Sequence, residues 1–301
     1  MKLSSLLLAV GLVLAPLFPT SGLAAAPKTY AVSLNPGWKM GEKFGIADAA
    51  TMNMKVVVSL APPGQPAQPV QQQQQKQSAH LEADAEVLAV YPNGGLQKVA
   101  LTVKKLTGTG DDTPEKDILP AGAKVVAEKN GKLRTFTVDG SPAPAEAEKF
   151  LKLVTSGLID DPKHTDQDSM GPTDPVAVGG TWPINGEILT EDMKDDFGDA
   201  VTCTGTVKLD SIKGEGDSQV AVISGSLTFE HMQPPIPAFV IKSAEGKGEL
   251  SGLQPATHKG VKAQTMGLTV KLVGETAGPN GAQLSLNMEA DQQMKGEITY
   301  R

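Results

Sequence analysis

The sequence predicts a mainly β protein. The expected form is an antiparallel, hairpin-rich curved sheet or incomplete barrel of two β halves with one central helix; a two-sheet β-sandwich is the alternative. Three observations predict this. Asn-Gly occurs four times, at Asn93-Gly94, Asn130-Gly131, Asn185-Gly186 and Asn280-Gly281, and both residues tolerate the positive φ that a two-residue hairpin turn needs. Three of these pairs lie between runs with a period of two, which marks strands with one dry and one wet face. Continuous apolar strands separated by long helices, the mark of a parallel α/β fold, are not seen.

The elements follow in chain order. Met1-Lys2, the apolar run Leu6–Leu17 and the small residues Gly22–Ala26 form the three parts of a secretory leader, with cleavage expected after Ala24. The signal peptide is therefore 1–24. Its loss removes Lys2 and leaves the chain more acidic. No later stretch reaches the roughly 18 apolar residues of a membrane helix, so no transmembrane segment is expected after cleavage. No cysteine lies near the cleavage site, which excludes lipoprotein-type acylation.

An N-terminal β half spans 27–140. Leu81, Ala83, Ala85, Val87 and Ala89 alternate with Glu82, Asp84 and Glu86 before Asn93, and Val99, Leu101 and Val103 follow it. Residues 61–77, rich in Pro and Gln with five consecutive glutamines at 71–75, have no periodicity and are expected to form a mobile loop. The central helix is placed at 141–158, with Ser141 as cap, Pro142 in the first turn and Phe150, Leu151, Val154 and Leu158 on its apolar side. An Asp/Pro/Thr-rich acidic linker is expected at 159–175. A C-terminal β half follows at 176–301. It contains a short helix expected from Thr190, as cap, through Phe197 to Gly198. The halves are weakly alike, since 90–101 and 212–222 each read as strand, Gly-rich turn, strand. This is a sign of duplication or of shared turn chemistry.

The leader, the hairpin-rich first half, the central helix and the run Pro175-Val176-Ala177-Val178-Gly179-Gly180-Thr181-Trp182 resemble an uncharacterised family of secreted bacterial β-rich proteins, a domain of unknown function. The resemblance covers most of the chain after the leader, although the Gln-rich segment departs from the pattern. It implies architecture and export. It supplies no activity and no catalytic residues.

Composition excludes several chemistries. A net charge of −7 and a pI near 5.2 oppose binding to a phosphate backbone, so no nucleic-acid partner is expected. Aromatic residues make up 4% of the chain, too few for a base-stacking platform. One cysteine excludes an intrachain disulfide framework, and Cys203, in the alternating run Val201–Thr204, reads as a buried strand residue. Hydrolase, phosphate-loop and dinucleotide motifs are missing; the glycines at 246, 248 and 252 have the wrong spacing. His80, His164, His231 and His258 are too far apart in sequence to form a local metal motif.

Asp166-Gln167-Asp168 begins like a calcium loop, but Met170 and Ala177 fall where oxygen ligands belong. Glu187, Glu191, Asp192, Asp195, Asp196 and Asp199 contain same-face helical pairs, which read as a solvated face. No metal, cofactor or catalytic residue is therefore assigned. Trp38 and Trp182 are the candidate ligand-binding residues; a core anchor or a lid over a sheet edge is the more common role of a lone tryptophan and stands as the other reading of each. The ten methionines could line an adaptable apolar pocket, but their spread over many strands fits ordinary core filling better.

The function expected is that of an exported, non-enzymatic binding or scaffolding protein of the bacterial envelope, periplasmic or secreted. Its partner would be an apolar small molecule or lipid held in a β concavity, or an envelope protein. The alternatives are an envelope structural or interaction protein without a small ligand, and a hydrolase using acidic residues.

Overall fold

A computed structural model describes residues 27–35, 37–110, 113–131 and 133–301. The predicted leader lies outside the described residues. The fold is mainly β and wholly antiparallel. Twelve strands form one path of hydrogen-bonded neighbours, and a thirteenth pairs beside it. The path has two ends, so the sheet is not closed into a barrel.

The strands of the N-terminal half are β2 (Lys43–Ala61), β3 (Gln68–Val90), β4 (Leu96–Gly110), β5 (Lys116–Leu119), β6 (Lys124–Asn130), β7 (Leu133–Val138) and β8 (Ser141–Pro142). Those of the C-terminal half are β10 (Thr181–Pro183), β11 (Thr202–Lys213), β12 (Val220–Glu230), β13 (Val240–Pro255), β14 (Val261–Ala277) and β15 (Gln283–Tyr300). The order across the sheet is β10-β11-β12-β13-β14-β15-β2-β3-β4-β6-β7-β8, with β5 on β4. The last strand pairs with the first long one, so the two predicted halves are one sheet. A separate ribbon joins β1 (Thr29–Tyr30) to β9 (Val176–Ala177).

Among the described residues three α-helices accompany the sheet: α1 (Ala145–Val154), α2 (Asp166–Met170) and α3 (Gly186–Phe197). The predicted apolar side of α1 is buried, through Phe150, Leu151, Val154 and Leu158. The helix starts later than the sequence suggests. Ser141 and Pro142 pair with β7 instead, and Ala143 N–H donates to the Phe136 carbonyl at 3.0 Å. Residues that precede proline avoid the helical region, so Ser141 and Ala143 stay extended until Pro144 has passed. Gly108 makes room for α1, since a Cβ there would stand 2.7 Å from the Phe150 ring.

Two other segments differ from expectation. Of 61–77, only residues 62–67 lie between strands; the glutamines belong to β3. They extend the β2–β3 ladder, with Gln71, Gln73 and Gln75 opposite Val58, Val56 and Met54. Composition misleads here because backbone pairing to an apolar strand does not require an apolar partner. The segment 159–175 is not a plain linker either. It contains α2, buries Ile159 and Met170, and is tied down by a capping box at Thr165 and Asp168.

Three of the four Asn-Gly pairs turn hairpins, at β3–β4, β6–β7 and β14–β15. Asn185-Gly186 instead opens α3. The Asn185 side chain accepts from Ile188 N–H, and a Cβ on Gly186 would lie 2.2 Å from the Cys203 carbonyl. Thr190, the predicted cap, sits inside the helix and accepts from Cys203 N–H at 3.1 Å.

Two hydrophobic clusters lie on the sheet. One joins β2, β3, β4, β6 and β7 to α1; the other joins β11–β14 to Val32, Leu34, Met170 and Trp182.

Candidate functional site

Alternation along the long central strands divides their side chains between two faces. One face is apolar. On β2 it presents Phe44, Ile46, Ala50, Met52, Met54, Val56, Val58 and Leu60. Opposite them on β15 stand Tyr300, Ile298, Met294, Gln292, Ala290, Met288, Leu286 and Leu284. β14 continues the rows with Met266, Leu268, Val270 and Leu272. Helix α1 covers one part of this face, and the elements around Trp182 cover another. Between them Met52, Met54, Val56, Met266, Leu268, Met288 and Met294 remain half-buried.

One residue breaks the pattern. Asp48 occupies an apolar-face position between Ile46 and Ala50, facing Gly296 on β15 and Leu81 on β3. Along β2, β14 and β15 it is the one carboxylate on that face. A Cβ at position 296 would stand 2.7 Å from its Oδ1, so the glycine gives the carboxyl its space. Burial raises its pKa to about 7, against the lowering effect of a hydrogen bond from Glu297 N–H. Next in the same row, beyond Gly296, comes Gln264.

Asp48 lines a cavity of about 100 Å³ beneath the C-terminal end of α1. Its apolar walls include Ala50, Leu153, Leu158, Met266, Met294 and Ile298; Lys262, Gln264 and Ser156 add polar groups. Lys262 Nζ donates to the Leu34 carbonyl at 3.2 Å. The Lys262 charge also acts on Asp160, whose own pKa burial raises to about 6. The sequence could have revealed Asp48 as an acid inside an otherwise apolar alternation.

The predicted ligand residues lie apart. Trp38 belongs to an aromatic group with Phe44, His258 and Tyr300, at centroid distances of 4.8, 4.7 and 5.8 Å. His258 stacks on Tyr300 and shares a hydrogen with Glu42 Oε1 at 2.5 Å through Nδ1, while its buried Nε2 has no partner. Desolvation lowers the His258 pKa against the opposing pull of Glu42. The space beside Trp38 is only about 20 Å³. Trp182 lies in the second cluster, buried, its Nε1–H donating to the Met170 carbonyl at 2.8 Å. Neither lines the cavity at Asp48.

The acidic loop folds toward α3. Ligand-type atoms of Asp161, His164 and Asp192 lie within 4.8 Å of one another. The charges there are already answered: Asp161 takes Lys129 Nζ at 3.0 Å, and His164 Nε2 meets Asp192 at 3.1 Å. The side chains of Asp195 and Asp196, in the predicted acidic pairs, lie outside the described residues. Cys203 is buried, and burial pushes its thiol up to about 11, which suits a packing residue rather than a nucleophile.

The opposite face of the sheet is polar. It carries open depressions of about 640 and 420 Å³ lined by residues such as Lys208, Glu249, Thr265, Thr269 and Lys271. The molecule is thus an open antiparallel sheet with a partly covered apolar face and a small, acid-containing cavity at its centre.

No family model and no curated protein matches the chain. Among solved structures, it is similar to one titled "lipid-protein interactions in lipovitellin", at 9% identity and a TM-score of 0.31, covering 85% of this chain and 25% of that one. The chain therefore spans about a quarter of that relative. OpdQ of Pseudomonas aeruginosa follows at 8% identity and a TM-score of 0.17, with 84% and 98% covered. A TodX mutant, a monoaromatic hydrocarbon channel, reaches 8% and 0.13, with 89% and 93% covered. At these scores the likenesses carry no argument about fold or function.

Proposed function

We propose that the protein is an exported, non-enzymatic binding protein of the bacterial envelope that holds an apolar or amphiphilic small molecule against the apolar face of its sheet. The observation that carries this reading is the half-buried strip between the two clusters, with its methionines 52, 54, 266, 288 and 294. Flexible, polarisable side chains suit a surface that adapts to an alkyl chain. A ligand that buries about 200 Å² of apolar surface there gains about 5 kcal/mol before the costs of association.

Export is supported by the leader pattern at 1–24. A binding role is favoured over hydrolysis by a histidine-activated hydroxyl or thiol, since His80, His164 and His258 each meet a carboxylate. A histidine that activates a serine, threonine or cysteine must sit on its hydroxyl or thiol. Native mass spectrometry on protein gently extracted from its own envelope tests the proposal. A co-purifying apolar mass that detergent removes is expected. Bare protein that also fails to take up an alkyl ligand in vitro would overturn it.

A further inference from the structure

Resting on that reading, we propose that the cavity beneath α1 recognises the ammonium head of an amphiphilic primary amine, with Asp48 as its counter-ion. The alkyl chain would lie over Ala50, Met294 and Met266 and leave along Met52 and Leu268.

The placement of Asp48 is the first support. A carboxylate among apolar side chains costs stability unless a cation or hydrogen-bond donors answer it. Here one backbone N–H does so, and no described cation lies within ion-pair distance. Lys262 lines the same cavity, but its Nζ donates to the Leu34 carbonyl and its charge acts on Asp160, while Asp48 is held only by burial and the Glu297 backbone. Lys295 also borders the cavity, yet alternation sends its exposed side chain to the polar face. The segment of α1 and its following turn that closes the site, Leu153–Leu158, brings no charge. The neighbouring residue on β3 is Leu81.

Space is the second support. Gly296 and Gly252 flank Gln264 in the same cross-strand row, so the row is low between its two polar side chains. About 100 Å³ admits an ammonium and its first few carbons; engineered apolar cavities of about 150 Å³ take benzene. The chain then continues over half-buried Met52 and Leu268.

Head-group chemistry selects the amine. An alkyl carboxylate would set two acids together and require a shared proton. An alcohol offers one hydrogen bond and no charge to balance the carboxylate. An ammonium supplies the missing charge and up to three donors.

Titration calorimetry of the full chain with octylamine, octan-1-ol and octanoate tests this. Octylamine is expected to bind at least about tenfold tighter than octan-1-ol at pH 8, consistent with one charge-assisted contact. Because the bound ammonium needs the carboxylate, its affinity should fall about tenfold or more between pH 8 and 5.5, with proton release seen as buffer-dependent heat. D48N should abolish both the preference and the pH dependence, bringing octylamine to the affinity of octan-1-ol. M294W, which fills the apolar wall, should weaken all three ligands together.

Equal binding of octylamine and octan-1-ol would overturn the head-group inference and leave the apolar-site reading standing. Failure of all three to bind would overturn both. An aminophospholipid carries the same head. Sedimentation with phosphatidylethanolamine vesicles, but not with phosphatidylcholine, and sensitive to D48N, would identify a lipid as the source. Calorimetric binding without sedimentation would identify a free amine.

Discussion

A single carboxyl sets an expected pH dependence of stability. In the fold Asp48 keeps its proton up to about pH 7, whereas its ordinary value is 3.8. Between those values the folded chain binds the extra proton. The stability linked to it is therefore fully present below pH 3.8 and is lost as pH rises through 7. D48N removes this decline. It is expected to be more stable than the parent by about 4 kcal/mol at pH 8, with the gap closing toward pH 4. Urea melts of both proteins across that range check it; a gap that stays constant with pH would show that Asp48 keeps its charge in the fold. His258 acts in the opposite sense. Its pKa is lowered by desolvation, so its contribution is present above its ordinary value of 6.5 and is lost as pH falls through the folded one. The two residues oppose each other in weak acid, which is why the comparison with D48N is more informative than the parent's profile alone. Asp84 holds a third kind of charge, exposed on the polar face, where Lys104 and Arg301 lower its pKa. Solvent screens such pairs, and they add little to the balance.

Helix α3 shows how local chemistry decides an element. Its first turn rests on the Asn185 cap and on Gly186 passing beneath the Cys203 carbonyl. N185A is expected to cost about 1 kcal/mol through the lost cap. G186A should cost more, because the helix must move away from β11. Thermal melts of the two variants give the order, and a larger loss for N185A would contradict the close approach. The same Asn-Gly pair marks how far these elements are legible in sequence. The strands around Asn93, Asn130 and Asn280 follow from period two and turn chemistry, because both are local. Asn-Gly at 185 has identical chemistry but a different neighbour, and only β11, packed across the pair, makes it a helix start. The glutamines of β3 were hidden for a related reason: what holds them extended is the apolar edge of β2, remote in composition though near in chain. Trp38 and Trp182 were recognisable as large apolar residues. Their separation into different clusters, and the gathering of Asp48, Met266 and Met294 into one cavity, depend on the register of β15 between β2 and β14. Register across about 240 residues of chain has no local signature.

At the scale of the molecule, that register has a mechanical consequence. The chain joins the two halves of its open sheet by laying β15 against β2, and all 18 residues of β15 pair with it. On its other side β15 pairs with β14 over 17 positions. The two hydrophobic clusters are therefore joined through a continuous hydrogen-bonded ladder rather than by a flexible connection. A local loss in one cluster should weaken the strands that support the other. Each cluster carries its own tryptophan: Trp38 packs on the cluster with α1, and Trp182 lies in the other. W38F and W182F thus provide single reporters, one for each end of the sheet. Coincident denaturant transitions for the two reporters are expected. L151A removes a fully buried side chain from the α1 cluster and should cost about 2–5 kcal/mol. In the L151A background the Trp182 reporter should shift to lower denaturant together with the Trp38 reporter, though Leu151 belongs to the other cluster. A Trp182 transition that stays fixed while that of Trp38 moves would show that the halves unfold separately and that the β15–β2 ladder does not couple them.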